Sequence, residues 1–362
     1  MEHSLQSRQA QYITVDGQSL VIFSSNDYLG LSHRPEVIKK STEAIDRFGC
    51  GTGGAPGTSG TTSLHVRLAN EIARFKQREK GYVFPSGYAA NIALHQSLSD
   101  KDTIFFSDER NHPSIGDGIK LSGCPQRIYR HIDVDHLEKL LKETDCRHKI
   151  VTTCSVFTLD GAVCPLDEFV KFKYKYQFTL ILDEAHATGC IGKTGRGLEE
   201  LYSLEGAADF IMGAFSKALG SQGGFLTFSK EAEKKLKNPL RAYKYSTSIS
   251  APSVAASLAS LSILEREPEL VVKMRANVKR LYDVFNRQDF QLNGPDRHII
   301  NIYFETQKTT MRVIDRLRNK GYFVVPVNVK NRWGLRITAM AVHTEDEIDD
   351  FCKSLFEIKN EV

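Results

Sequence analysis

LILDEAHATG, residues 180–189, is the stretch on which the reading of this chain turns. It opens as a continuous apolar run, the pattern of a strand buried on both faces. It ends on Asp183, with His186 three residues on. A carboxylate at a strand terminus can point into a site, although an Asp capping a turn and a structural His would leave the same local pattern. A second junction of this kind follows, where FIMGA (210–214) runs into FSKALGSQGGF (215–225) and sets Lys217 among small residues. Surface lysines are rarely placed so. Desolvation lowers an amine pKa and leaves a nucleophile able to form an imine with an aldehyde, and Gly220, Gly223 and Gly224 allow backbone to approach a planar ligand.

A third element, PSGYAAN (85–91), follows an apolar run and opens a helix, so that Ser86, Gly87 and Tyr88 offer backbone N–H groups and a hydroxyl suited to a phosphate dianion. A phosphate-binding turn, an acid and a lysine on successive parts of one sheet point together to pyridoxal 5'-phosphate, although each is weak alone.

Outward from these motifs, short apolar runs at Gly81–Phe84, Thr103–Phe106, Ile150–Thr153, Phe178–Leu182, Phe210–Gly213 and Phe225–Phe228 alternate with helix-length stretches. The pattern predicts an α/β fold with a mainly parallel sheet and functional residues at strand ends. Leu64, Leu68, Ile72 and Phe75 at helical spacing predict an amphipathic helix over 63–78. From about 252 the pattern changes to a long helix through Leu264, then further helices and short strands at His298–Phe304 and Gly321–Val325. The expected organisation is an N-terminal segment (1–40), a large cofactor-binding domain (41–250) and a small C-terminal α+β domain (251–362).

Composition narrows the function classes. The 362 residues are 41% apolar and 25% charged, with a net charge of +4 and no apolar window of membrane-spanning length. Seven scattered cysteines without CxxC spacing suggest neither a disulfide framework nor a zinc site, so no metal is expected. The most basic stretch, KEAEKKLKNPLRAYKY (230–245), reads as a solvated helix face and a loop rather than a nucleic-acid surface. The N-terminus has neither signal- nor transit-peptide character, and a cytoplasmic location is expected.

Taken in order, the motifs resemble the α-oxoamine synthases, a branch of the fold-type I pyridoxal-phosphate enzymes, over nearly the whole chain. The matching stretches include FSSNDYLGLS (23–32), GTGG (51–54) with SGTTSLH (59–65), DERNHPSIGDG (108–118), VFTLDGAVCPL (156–166), YSTSIS (245–250) and GLRITAMAVHTEDEID (334–349). The resemblance implies a seven-stranded sheet flanked by helices. It also implies that Lys217 forms the imine with the cofactor and moves the α-proton, that Asp183 keeps the pyridine nitrogen protonated, that His186 bonds the phenolic oxygen and that His112 stacks on the ring. Ser86, Gly87, Tyr88 and Thr158 would line the cofactor site, while Arg336 and Asn26 would meet the substrate carboxylate. Ser246 and Thr247 would reach the cofactor phosphate of a second copy, implying a homodimer with shared sites.

The family's reaction condenses an amino acid with an acyl-CoA or acyl-carrier-protein thioester, releasing carbon dioxide and thiol. SSNDYLGLS and YSTSIS read most like the branch that uses alanine and a pimeloyl thioester. Serine with palmitoyl, glycine with acetyl and glycine with succinyl remain alternatives, as do an aminotransferase and a silent partner subunit. The chain departs from the family pattern at Ala214, where a hydroxyl usually meets the phosphate, at Pro56 in place of Arg, at Cys154 in place of Glu, and at Ser216, which resembles the serine-using branch.

Overall fold

Apolar residues stand at consecutive positions along the central strands because successive side chains enter different cores. Leu180 and Leu182 join one cluster while Ile181 joins the other. The same split separates Phe106 from Phe105, Val151 from Ile150, Ile211 from Phe210 and Met212, and Phe225 from Leu226 and Phe228. Side chains alternate across a strand, so a sheet covered by helices on both faces needs an unbroken apolar run.

The computed structural model describes residues 4–288, 290–293 and 297–361. In chain order its strands are β1 (Tyr12–Val15), β2 (Gln18–Ile22), β3 (Lys80–Phe84), β4 (Thr103–Asp108), β5 (Gln126–Tyr129), β6 (His148–Cys154), β7 (Thr179–Asp183), β8 (Phe210–Ala214), β9 (Gly224–Phe228), β10 (Ile300–Phe304), β11 (Tyr322–Phe323), β12 (Val325–Val329) and β13 (Arg332–Ile337). The seven-stranded sheet runs β3-β9-β8-β7-β6-β4-β5. Its pairings are parallel except those of β9, which is antiparallel to both neighbours. The expected fold class is therefore observed, and all six expected central strands are present. The seventh, β5, went unread because it is an edge strand with exposed Gln126, Arg127 and Ile128.

The expected helix at 63–78 spans Ser63–Phe75, opened by a reciprocal capping arrangement between Thr62 and His65. It stops early because Lys76 turns inward to an ion pair with Glu184, both side chains almost fully buried. The expected strand at 321–325 is two strands in different sheets. One of them, β11, pairs parallel with β2 beside β1, whereas β12 joins β13 and β10 in an antiparallel sheet. Among the described residues no helix is long and apolar enough to cross a membrane.

Because β3, β4, β6, β7 and β8 point the same way, their C-terminal ends share one edge of the sheet, where open α/β sheets bind ligands. Asp183 and Cys154 terminate β7 and β6, and Ser86, His112 and Lys217 follow β3, β4 and β8. Glycine closes this edge at two points. A Cβ on Gly220, whose φ is +55°, would lie 2.3 Å from Ser32 N. A Cβ on Gly224 would lie 2.5 Å from Gly87 N, so only glycine lets β9 touch the turn after β3.

Gly224→Ala is expected to lower unfolding free energy by about 1–3 kcal/mol, the usual cost of forcing a methyl into packed backbone. It should also weaken binding of a phosphate-bearing cofactor at that turn. Urea titration and cofactor affinity measure the two effects, and an unchanged urea midpoint would mean that the contact is slack.

Candidate active site

A cavity of about 180 Å³ opens at this edge, lined among others by Ser86, Gly87, Tyr88, Asn91, His112, Cys154, Thr158, Asp183, His186, Ala214 and Lys217. The site residues expected from β3, β4, β6, β7 and β8 therefore meet in one place. Asp183 is 4% exposed. Its Oδ2 accepts from Asn91 Nδ2 at 2.9 Å and its Oδ1 from Ala185 N–H at 3.0 Å. Burial lowers the pKa of the Lys217 amine, and the charge of Asp183 opposes that shift. The geometry thus offers a lysine readily made neutral beside a held carboxylate.

His186 is buried, and desolvation together with the nearby cations Lys217 and Arg336 pushes its pKa well down, so the ring is neutral. Its Nδ1 lies 2.8 Å from the hydroxyl of the fully buried Tyr28. That hydroxyl takes an N–H from Arg336 Nη2 at 3.4 Å. The same hydroxyl also lies 3.3 Å from Asn26 Oδ1, so that amide oxygen and His186 Nδ1 compete for its one hydrogen.

His112 caps the helix Pro113–Ser122, where its Nδ1 accepts from Ser114 N–H at 3.3 Å and lies 2.7 Å from Ser114 Oγ. Desolvation lowers its pKa as well. Ser86 caps the helix Gly87–Ser97 by accepting from Ala89 N–H at 3.1 Å. The N–H groups of Gly87 and Tyr88 in the first turn have no acceptor within the helix and favour an anion. The Tyr88 ring is 47% exposed, and its hydroxyl bonds Asp117.

Arg336, on β13 of the β10-β13-β12 sheet, and Asn26 do not line the cavity but lie against Thr158, which does. Arg336 Nη2 donates to Asn26 Oδ1 at 3.0 Å and Arg336 Nε to Thr158 O at 3.3 Å. Among the described residues Nη1 has no partner, so one arm of the guanidinium is left for a carboxylate. Ser246 and Thr247 do not line this cavity, and Thr247 is exposed.

Sequence reasoning missed Tyr28, Asn91 and Ser114, although each lies inside a quoted motif. The roles of Tyr28 and Asn91 are set by contacts with His186 and Asp183, 158 and 92 residues away, and Ser114 matters through its bond to Asn91, none of which local spacing reports. The donor set fits pyridoxal 5'-phosphate: a helix start for the dianion, an acid for the ring nitrogen, a neutral histidine for the phenolic oxygen and a buried amine for the aldehyde. Ala214 offers no hydroxyl, and its methyl lies 3.5 Å from a Cβ built on Gly87.

The family model described as "Aminotransferase class I and II" matches residues 18–355. An 8-amino-7-oxononanoate synthase from Lysinibacillus sphaericus is 33% identical over 355 residues, covering 97% of this chain and 91% of that protein. The human mitochondrial 2-amino-3-ketobutyrate coenzyme A ligase is 34% identical over 365 residues, covering 99% and 87% respectively. A serine palmitoyltransferase from S. paucimobilis, solved with pyridoxal phosphate and myriocin, superposes with a TM-score of 0.95 at 25% identity, covering 99% of this chain and 92% of that one.

Two measurements test this geometry. Capture of pyridoxal 5'-phosphate by the cofactor-free protein should accelerate as pH rises, with a midpoint below the ordinary lysine value of about 10.4 because the lowered pKa supplies neutral amine earlier. Stopped-flow absorbance reads the profile, and a midpoint at or above that value contradicts the burial argument. Ala214→Thr should tighten cofactor binding by about tenfold through one added hydrogen bond to a charged group, as read by the dissociation constant of the bound cofactor.

Proposed function

We propose that this chain, which belongs to the class I and II aminotransferase family and within it to the α-oxoamine synthases, condenses L-alanine with a pimeloyl thioester to give 8-amino-7-oxononanoate, carbon dioxide and thiol, a step of biotin synthesis. Family membership makes it a pyridoxal-phosphate-dependent acyltransferase. The observation that carries the finer reading is the 33% identity, across 97% of this chain, to the Lysinibacillus sphaericus 8-amino-7-oxononanoate synthase. A second reading, glycine with an acetyl thioester, is favoured by the 34% identity to the human 2-amino-3-ketobutyrate ligase.

When bound, pyridoxal 5'-phosphate supplies an aldehyde for the amine and a protonated ring that draws electrons from the α-carbon. In this reading Lys217 Nζ would hold the cofactor aldehyde and would move the α-proton of the amino acid. Asp183 would hold the ring nitrogen, His186 would meet the phenolic oxygen and neutral His112 would cover a ring face. The Gly87 and Tyr88 N–H groups with Ser86 would hold the phosphate. Arg336 binds the amino-acid carboxylate through its free arm, with Asn26 and Thr158 O fixing the guanidinium plane. Lysine is a poor substitute, because an ammonium cannot be held by these partners and still present a donor in the same plane. The protein acts as a homodimer in which Ser246 and Thr247 of one copy complete the phosphate site of the other. Their position outside their own cavity supports this arrangement.

Thiol release measured with alanine, glycine and serine, each against acetyl, succinyl, pimeloyl and palmitoyl thioesters, decides the substrates. Oxononanoate from alanine and pimeloyl alone is the expected outcome, and turnover only with glycine and acetyl establishes the second reading. Lys217→Ala should abolish condensation. Arg336→Lys should raise the KM for the amino acid about tenfold or more, the scale of one charge-assisted hydrogen bond.

A further inference from the structure

Asn91 is 1% exposed, lines the cofactor cavity and has a side-chain oxygen with no hydrogen-bond partner among the described residues. A buried amide oxygen left unpaired is destabilising, so the position needs an explanation. The amide nitrogen provides one. It donates to Asp183 Oδ2 at 2.9 Å and to Ser114 Oγ at 2.9 Å, which commits both of its hydrogens. A carboxylate can only accept, so the amide orientation is fixed by Asp183 and not by convention.

The chain of donors then has one direction. Ser114 Oγ receives a proton from Asn91, so its own hydrogen is free for His112 Nδ1, 2.7 Å away. The Ser114 backbone N–H points at the same ring nitrogen from 3.3 Å. Two donors on Nδ1 require it to be bare, which leaves the His112 proton on Nε2 and the ring uncharged. A cationic imidazolium against a protonated pyridine ring would put like charges face to face.

We propose that Asn91 is a positioning residue that holds the Asp183 carboxylate with one amide hydrogen and, through Ser114, keeps His112 neutral and protonated on Nε2 with the other. The inference rests on the cofactor reading above and deepens it: one amide ties the residue that meets the ring nitrogen to the residue that covers the ring face. Asn91 itself touches no reacting atom. The charged and titratable groups that bear on His112 are Asp183, Lys217, Asp117, Cys154 and His186. All five are retained in the variants below.

The test uses the full chain, free of cofactor, with its histidines ¹⁵N-labelled. In the wild type, the His112 ring nitrogens should report the Nε2–H tautomer. Ser114→Ala should raise the His112 pKa by about half a unit to one unit because a donor that stabilises the neutral ring is lost. Asn91→Leu should shift it the same way by freeing the Ser114 hydroxyl to turn from Nδ1. Ser114→Ala keeps the bond between Asn91 and Asp183, and the backbone N–H at 114 still points at His112 Nδ1, so it serves if Asn91→Leu does not fold. A purely structural role for Asn91 would lower the melting temperature and leave the His112 signals of the folded protein where they were. Unchanged His112 tautomer and titration in both variants overturn the proposal. Adding pyridoxal 5'-phosphate to the same samples separates the two readings. A wild type that shows no visible absorption band defeats the cofactor reading, whereas the His112 shifts still decide the relay.

Discussion

A cation that must be able to lose its charge shares this cavity with an anion. Burial drives the Lys217 amine toward its neutral form, and Asp183 pulls it back toward the ammonium. The chemistry therefore depends on how burial and one opposing charge are balanced at the amine. The rest of the site keeps that balance by neutrality: His186 and His112 are both held uncharged by desolvation. Each also has a hydroxyl within hydrogen-bond distance of its Nδ1, that of Tyr28 in one case and that of Ser114 in the other. Two unrelated parts of the chain thus meet one need in the same way, with a hydroxyl set against an uncharged imidazole.

The sheet supplies the geometry for this separation of charge. Asp183 and Glu184 are adjacent acids at the end of β7, and side-chain alternation turns them to opposite sides. Asp183 faces the cavity, while Glu184 is neutralised in the interior by Lys76 and by Leu198 N–H at 2.7 Å. A second fully enclosed pair, Arg78 with Glu199 at 2.7 Å, lies close by. Such pairs contribute modestly to net stability, but removing one partner leaves an uncompensated charge and costs about 3–5 kcal/mol. None of these four residues lines the cavity, yet each is intolerant of substitution for this reason.

The central strands were legible because burial on both faces leaves no polar alternation to confuse the reading, and the glycines near Lys217 marked close backbone approach. The edge strand β5 was not, since three of its four side chains face solvent. The pairing of β2 with β11 joins Val21 to Tyr322, and no local pattern encodes so remote a partner. Within the site, Lys217 and Asp183 stood out as polar residues at the ends of apolar runs. Asn91 and Tyr28 looked like ordinary members of their segments, because their bonds span 92 and 158 residues. Ser246 and Thr247 were singled out only by resemblance, for a single chain does not direct them into its own cavity.

Arg336 touches Asn26 and Thr158 at once, so three remote parts of the sequence meet beside the cavity. The core that packs Phe215, Ala218 and Leu219 around the lysine also holds Ile300, Leu335 and Ile337. The lysine's surroundings and the guanidinium's strand are thus parts of one packed unit. A chain cut before β13 loses more than an arginine, because it also strips the far side of the core on which the lysine's own neighbours rest.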